Sequence, residues 1–174
     1  MIVREQQLSK ESTVYHYRLL QRIHTKRIYF GLYWGVVAAL YIWDLIRFQP
    51  FSLVIGLIII PLLHTLLIYL YYKLKEKRRL ANWLFQLRLP WIGFVPTNYI
   101  AMRRLMRLHL QLLWIPIVIC ACFYPWVSLD LILHLLFVHF WLLLPRFIIF
   151  FRFRNHLENG FLKINEQDTS CYAQ

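Results

Sequence analysis

The sequence predicts an all-α integral membrane protein whose four transmembrane helices form two tandem hairpins. Apolar residues occupy 60% of the 174 positions and charged residues only 16%, whereas soluble domains are about 45–50% apolar. The apolar residues fall into four blocks of roughly 20, the length at which a helix rising about 1.5 Å per residue crosses a hydrocarbon core about 30 Å thick. Each block can therefore span a bilayer.

The N-terminal segment, residues 1–27, is basic and has the pattern of an amphipathic helix, with Tyr17, Leu20 and His24 recurring at helical spacing. We expect this helix to lie on the cytoplasmic surface of the membrane. No apolar stretch precedes a small-residue cleavage site in these residues, so we expect no cleavable signal peptide. The first span then acts as an uncleaved insertion signal.

Two hairpins follow from the positions of the apolar blocks. The first occupies residues 28–72, with predicted spans over 28–48 and 51–72 and a turn at Gln49 and Pro50. The second occupies residues 108–151, with predicted spans over 108–127 and 131–151 and a turn around Pro125 and Ser128. Connections this short make consecutive helices antiparallel neighbours. A tail, residues 152–174, completes the chain.

The distribution of basic residues predicts the orientation of the spans. Of the 20 Lys and Arg residues, 18 lie in the N-terminal segment, the central connection and the C-terminal tail. Arg47 lies at the opposite end of the spans, and Arg146 lies within the fourth block, from which its side chain can snorkel to the headgroups. Because Lys and Arg are enriched in cytoplasmic loops, we expect a multi-pass protein of the cell (cytoplasmic) membrane with both termini in the cytoplasm.

The central connection, residues 73–107, is basic at its start and then too apolar for a free cytoplasmic loop. Pro90, Gly93 and Pro96 interrupt it too often for a fifth span. We interpret it as an interfacial or shallow re-entrant segment between the hairpins. Its aromatic and basic side chains are candidates for contact with headgroups or for docking of a partner: Trp83, Phe85, Arg88, Trp91, Phe94, Arg103, Arg104 and Arg107.

The formal net charge of +12 would suggest nucleic acid as a partner if the protein were soluble. Here the basic residues flank apolar blocks, where they contact anionic lipid headgroups. We therefore expect the basic residues to contact a bilayer with anionic headgroups, and we expect no nucleic acid as a partner.

The two hairpins allow one alignment of the kind that an internal repeat would produce. A shift of 75 residues superposes Pro50 on Pro125 and His64 on His139, although few other positions match. Such a repeat would be parallel, with its axis along the membrane normal.

Ionisable residues inside spans are costly and therefore mark candidate sites. His64 and His139 both lie near mid-depth, where they could ligate a haem b or form a hydrogen bond between helices. Asp130 and His134 are four residues apart and share a helical face, so they could form the mouth of a proton path or cap the helix. Asp44 and Arg47 are close enough in sequence to pair, and a fourth span histidine is His109.

The sequence contains no motif typical of an enzyme or of a metal site. His134 and His139 are five apart and do not share a helical face, and the eight acidic residues form no cluster. We therefore expect a non-enzymatic subunit or accessory factor of a membrane complex serving transport, secretion or envelope maintenance, assembled with a membrane protein partner or with itself. Two alternatives stay open: a b-type haem or quinone-linked membrane anchor, and a small proton- or ion-coupled transporter.

Overall fold

Four long helices dominate the structure, a computed structural model that describes residues 18–48, 50–76, 83–165 and 168–173. They are α1 (Arg27–Ile46), α2 (Phe51–Tyr71), α3 (Met102–Phe123) and α4 (Leu129–Arg152). Helix α2 continues into a short π-helical turn, Tyr72–Glu76. Each of the four helices is long and apolar enough to cross a membrane, which is the composition of a multi-pass membrane protein.

Among the described residues, six short strands accompany the helices, so the prediction of an all-α chain is wrong in these segments. Strands β1 (Arg18–His24), β4 (Ile100–Ala101), β5 (Gly160–Ile164) and β6 (Asp168–Ala173) form an antiparallel sheet in the order β1-β6-β5-β4. Strands β2 (Trp83–Gln86) and β3 (Gly93–Pro96) form a separate hairpin within the central connection. Hydrogen bonding to a distant strand has overridden the local pattern in these residues.

The N-terminal segment, predicted to be an amphipathic helix, forms a strand in its described residues. Residues 18–24 pair with β6, and residues 1–17 lie outside the described residues. The helical spacing of Leu20 and His24 did not predict this strand because its pairing partner is more than 140 residues away in the sequence.

An ionic contact reinforces the pairing of β1 with β6. The Nε atom of Arg22 lies 3.3 Å from a carboxylate oxygen of Asp168 and donates a hydrogen bond to Ser170 Oγ. Burial opposes ionisation of Asp168, but hydrogen bonds from Ser170 and Asn165 and the charges of Arg22 and His24 hold the pKa of this carboxyl below its usual value. Because β1 precedes α1 and β6 follows α4, the described ends of the chain lie on the same side of the helices.

Helices α2 and α4 pack closely at Gly56. A Cβ atom at this position would lie 3.2 Å from Val138 Cγ2 and 3.5 Å from the carbonyl oxygen of His134. Small residues at such crossings allow membrane helices to approach each other. Helix α1 contacts α4 through Tyr33, whose ring stacks on Trp141 and whose hydroxyl donates to the Trp141 carbonyl oxygen.

The loop between β2 and β3, residues 87–92, inserts among the helices. Trp91 belongs to a hydrophobic cluster with residues of α2, α3, α4 and the larger sheet. Leu89 and Ile92 belong to a second cluster, which also contains Tyr33 of α1 and Val138 of α4. The loop therefore forms part of the core that the helices share.

The order of elements repeats along the chain with nearly the spacing of the sequence repeat. Helices α1 and α3 begin at Arg27 and Met102, 75 residues apart. In each half a strand precedes two helices and another strand follows them. The correspondence is one of element order, because the two halves make different strand pairings.

We predict that Gly56→Leu destabilises the protein, because the larger side chain would separate α2 from α4. Overpacking of this kind costs about 1–3 kcal/mol, so the thermal unfolding midpoint of the detergent-purified protein should fall. Gly31→Leu and Gly35→Leu are matched controls, since no heavy atom lies within 4 Å of a Cβ at either position. Equal midpoints for Gly56→Leu and the two controls would contradict this packing.

Candidate functional site: a column of buried histidines

Three hydrogen-bonded pairs of polar side chains lie between the helices, each with a histidine. Going along α4 from its N-terminal end, they are His134 with Asp44, His139 with His64, and Arg146 with His109. The positions of the three α4 members cover about 18 Å of helix at about 1.5 Å per residue. We call these six residues the histidine column.

The pair nearest the turns that connect α1 to α2 and α3 to α4 joins α1 to α4. His134 Nε2 lies 3.0 Å and 3.2 Å from the two carboxylate oxygens of Asp44. His134 Nδ1 donates to the Asp130 carbonyl oxygen at 2.8 Å and lies 3.5 Å from its carboxylate. Both ring nitrogens thus face oxygen acceptors, and the contact with Asp44 links α4 to α1.

The expected pairing of Asp44 with Arg47 is wrong. Asp44 is buried against His134, whereas the Arg47 guanidinium lies over the ring of Trp43, 5.3 Å from its centroid. The partner of Asp44 is 90 residues away in the sequence, so local spacing could not have indicated it.

His64 and His139 form the middle pair. Their closest nitrogens, His64 Nε2 and His139 Nδ1, are 3.0 Å apart. His139 Nε2 faces the carbonyl oxygen of Leu113 at 3.1 Å, so it carries the proton, and His139 Nδ1 accepts from His64. This single hydrogen bond and the Leu113 contact join α2, α3 and α4.

This geometry does not fit a haem ligated by the two histidines. A bis-histidine haem places the whole macrocycle between the two imidazoles. Here the rings are in direct contact in an edge-to-face arrangement, with centroids 5.1 Å apart. The residues present therefore leave no space for iron and a porphyrin between them.

The third pair centres on Arg146, which is only 1% exposed. Its Nη2 donates to the carbonyl oxygen of Ile92 in the inserted loop, and its Nη1 lies 3.1 Å from His109 Nε2. His109 Nδ1 donates to the Leu105 carbonyl oxygen at 2.8 Å, so its Nε2 is the acceptor for Arg146. The expectation that Arg146 snorkels to the headgroups is wrong, because its side chain is directed inward to these two acceptors.

No carboxylate pairs with Arg146 among the residues that the structure describes. Its acceptors are a backbone carbonyl and a neutral imidazole, and its Nε has no hydrogen-bond partner there. A cation buried without a counter-ion is costly in a membrane protein. The hydrogen bond from Arg146 to the Ile92 carbonyl oxygen therefore offsets part of the free-energy cost of burying the guanidinium charge.

Gly93 makes the approach of Arg146 to the loop possible. Its φ angle is +115°, a conformation that residues with a Cβ rarely adopt. A Cβ here would also lie 2.9 Å from Arg146 Nη2. The positive φ angle and the close approach of Arg146 Nη2 both require glycine at this position, directly after the Ile92 carbonyl group that accepts the hydrogen bond from Arg146.

Trp91 connects the loop to the larger sheet. Its Nε1 donates to Thr169 Oγ1 of β6 at 2.8 Å, and its ring packs edge-to-face on His109 and Phe150. Trp91 is fully enclosed, so its predicted place in the headgroup zone is wrong. The indole instead fills the space between the helices and the sheet.

The remaining residues of the predicted docking surface occupy several places. The ring of Trp83 stacks on that of Phe94 across the β2–β3 hairpin, and Phe85 is 54% exposed. Arg103 and Arg107 are exposed on the first turns of α3. Arg88 precedes the inserted loop's Leu89–Pro90 peptide, and Arg104 is half-buried on α3.

The column can hold the helices together or exchange protons, but it offers little for covalent chemistry. Among the described residues, no three His, Cys, Asp or Glu side chains are grouped as a metal site. Burial raises the pKa of the Cys171 thiol to about 11, which disfavours the thiolate that a nucleophilic cysteine requires.

Comparison with known proteins adds no assignment, since no family model, curated protein or solved structure matches this chain.

We predict that Arg146→Met loosens the inserted loop, because the Ile92 carbonyl oxygen and His109 Nε2 would lose their donor. Gly93→Ala should act in the same direction through the clash with Nη2. Hydrogen exchange of the amides in residues 87–96 is the appropriate measurement, and it should become faster. Overall stability is less informative, since removing a buried charge also removes its desolvation cost.

Two matched controls separate this contact from general effects of substitution. Arg103→Met removes an exposed arginine on α3, and Gly35→Ala adds a methyl group in open space. Neither should change the exchange of residues 87–96. Unchanged exchange in both Arg146→Met and Gly93→Ala would show that the arginine does not hold the loop.

Proposed function

We propose that this protein is a non-enzymatic subunit or accessory factor of a membrane complex, inserted in the cytoplasmic membrane with both termini in the cytoplasm. The single observation that carries the proposal is an apolar-rimmed cleft beside the β2–β3 hairpin, near the first turn of α1. The arrangement of charge and the chemistry of the interior support it.

The charges favour the orientation with the sheet in the cytoplasm. Basic residues such as Lys26, Lys73, Arg103 and Arg152 lie at the helix ends that adjoin the strands. At the opposite ends of the described helices the basic residue is Arg47. The positive-inside rule places the more basic end in the cytoplasm.

The interior supports a structural role for most of the buried polar groups. His64, His109, His134 and His139 each form hydrogen bonds to another helix or to the preceding turn of their own helix. Hydrogen bonds between membrane helices contribute about 0.6–2 kcal/mol each. Side chains committed in this way fix the helix arrangement that presents the cytoplasmic surface.

The cleft lies between the β2–β3 hairpin and the end of β5. Its volume is about 840 Å³, and it extends from Phe30 to Asn165. Leu84, Phe85 and Leu87 line it and are 63%, 54% and 62% exposed. Three large apolar side chains exposed together, outside the spans, form the kind of patch that binds a partner.

The partner that fits this cleft is a protein with an amphipathic segment that is apolar on one face and acidic on the other. The apolar face would cover Leu84, Phe85 and Leu87. The acidic face would meet the surrounding basic surface of a chain whose net charge is +12. A second copy of this chain fits less well, because two strongly basic surfaces repel each other.

We expect that affinity purification of the full-length chain from native membranes in mild detergent yields one stoichiometric partner. The partner should be lost from the double variant Leu84→Ser/Phe85→Ser, because these substitutions remove the apolar contact. Quantitative mass spectrometry of the eluates measures both results, and an absorption spectrum of the same eluate tests for haem.

Leu74→Ser is the matched control, since Leu74 is an exposed leucine near the same end of the bundle but does not line the cleft. It should keep the partner. A monodisperse chain without a stoichiometric partner, or a partner that the double variant retains, would contradict the proposal. A Soret band in the eluate would contradict it in favour of electron transfer.

A second candidate function is proton transfer across the membrane, favoured by the succession of titratable pairs in the histidine column. Histidine is the side chain best suited to proton exchange near neutral pH. Proton transfer across the membrane would require the three pairs to pass protons to one another, either after a rearrangement of their side chains or through bridging water molecules.

If the column conducts protons, a pH gradient imposed across proteoliposomes should decay faster with the wild-type protein than with His139→Leu. This substitution removes the acceptor of His64 and the contact with Leu113, and so interrupts the column at mid-depth. His156→Leu is the control, because His156 lies in the short 3₁₀ helix after α4. Equal decay rates for wild type and His139→Leu, followed with an internal pH-sensitive dye, would remove this candidate.

A further inference from the structure

A groove between α1 and α4 opens toward the lipid beside the inserted loop. It has a volume of about 440 Å³, within the range of about 300–1,000 Å³ that small-molecule pockets occupy. Its walls are apolar side chains of the two helices, and Leu89 and Pro90 of the loop also line it. We call it the inner groove.

The depth of the inner groove matches one leaflet of a bilayer. Its lining extends from Tyr29 to Val36 on α1 and from Trp141 to Arg152 on α4. At about 1.5 Å per residue these ranges cover about 10 Å and about 16 Å of helix, against about 15 Å for half of the hydrocarbon core. The groove thus occupies the half of the bundle next to the sheet.

The side chains along the groove show what surrounds it. Leu32, Leu144 and Ile148 line it and are at the same time strongly exposed on the outer faces of spanning helices. Such faces meet lipid acyl chains in a membrane, since water is absent at this depth. The molecules that can enter the groove from the side are therefore those of the bilayer.

The mouth of the inner groove carries an arginine and a histidine. His24 is the last residue of β1 and Arg152 the last residue of α4, and both line the groove at the end next to the sheet. No acidic residue lines it, and Arg152 forms no ion pair with another described residue. A guanidinium so placed can bind a phosphate oxygen.

We propose that the inner groove is a binding site for one anionic phospholipid of the cytoplasmic leaflet. Its acyl chain lies between α1 and α4 against Leu144 and Ile148, and its phosphate contacts Arg152 and His24. Charge complementarity at the mouth selects an anionic headgroup over a zwitterionic one. This inference does not depend on the partner protein proposed above, because the groove and the cleft share no lining residue.

The proposal is tested by native mass spectrometry of the full-length chain, delipidated in mild detergent and titrated with phosphatidylglycerol or phosphatidylcholine of identical acyl chains. We expect one phosphatidylglycerol to bind with an affinity about fivefold above that of phosphatidylcholine, as the charge of one arginine near the headgroup would give. This comparison uses the wild-type protein and needs no variant. Equal affinities for the two lipids would overturn the proposal.

Two variants locate the lipid. Arg152→Gln should reduce the affinity for phosphatidylglycerol to that for phosphatidylcholine, and Leu144→Trp should fill the groove and abolish binding of both. The controls are Arg103→Gln, an exposed arginine on α3, and Leu133→Trp, an exposed leucine on the outer half of α4. Neither control residue lines the groove, and both controls should bind as wild type does.

The outcomes for the variants are equally decisive. A lipid preference that survives Arg152→Gln, or that Arg103→Gln reduces as much, would overturn the proposed headgroup contact. Retained binding in Leu144→Trp would place the lipid elsewhere. Monodisperse elution with an unchanged thermal midpoint establishes that each variant is folded before its binding is compared.

Discussion

The contact between Arg146 and the carbonyl oxygen of Ile92 determines how the central connection is built into the bundle. A loop among membrane helices exposes backbone groups that no water can satisfy. Arg146 supplies a donor for one of these groups, and His109 accepts a hydrogen bond from the same guanidinium. The loop thereby becomes part of the core, and Leu89, Trp91 and Ile92 fill spaces that the helices leave.

The cost of burying this cation explains why its surroundings are specialised. Gly93 admits the guanidinium by lacking a side chain and by adopting a positive φ, and His109 offers a lone pair because its other nitrogen is committed to Leu105. Trp91 then ties the loop to Thr169. Loop, helices and sheet are thus joined through a few polar contacts that depend on one another.

The sequence was informative where one property repeats along a segment. Four apolar blocks predicted four long helices, and the described helices lie within a few residues of the expected bounds except at the start of α3. The strands could not be predicted in the same way, because β1 and β6 stabilise each other over a separation that no local pattern records. The same limit applied to the buried polar groups: the sequence indicated that His64, His109, His134 and His139 matter, but not that Asp44 belongs to His134 and Arg146 to His109.

The two halves of the chain share an order of elements, and the loop inserted between them contributes to the lining of the inner groove. Helices α1 and α3 begin 75 residues apart and would occupy equivalent places in a symmetric bundle. Leu89 and Ile92 belong to the same hydrophobic cluster as Tyr33 of α1 and Leu142 of α4, so the loop packs against both of these helices. The space that remains beside the loop is lined by α1, α4, Leu89 and Pro90. The buried arginine that holds the loop therefore also helps to position these two lining residues, although Arg146 itself does not line the groove.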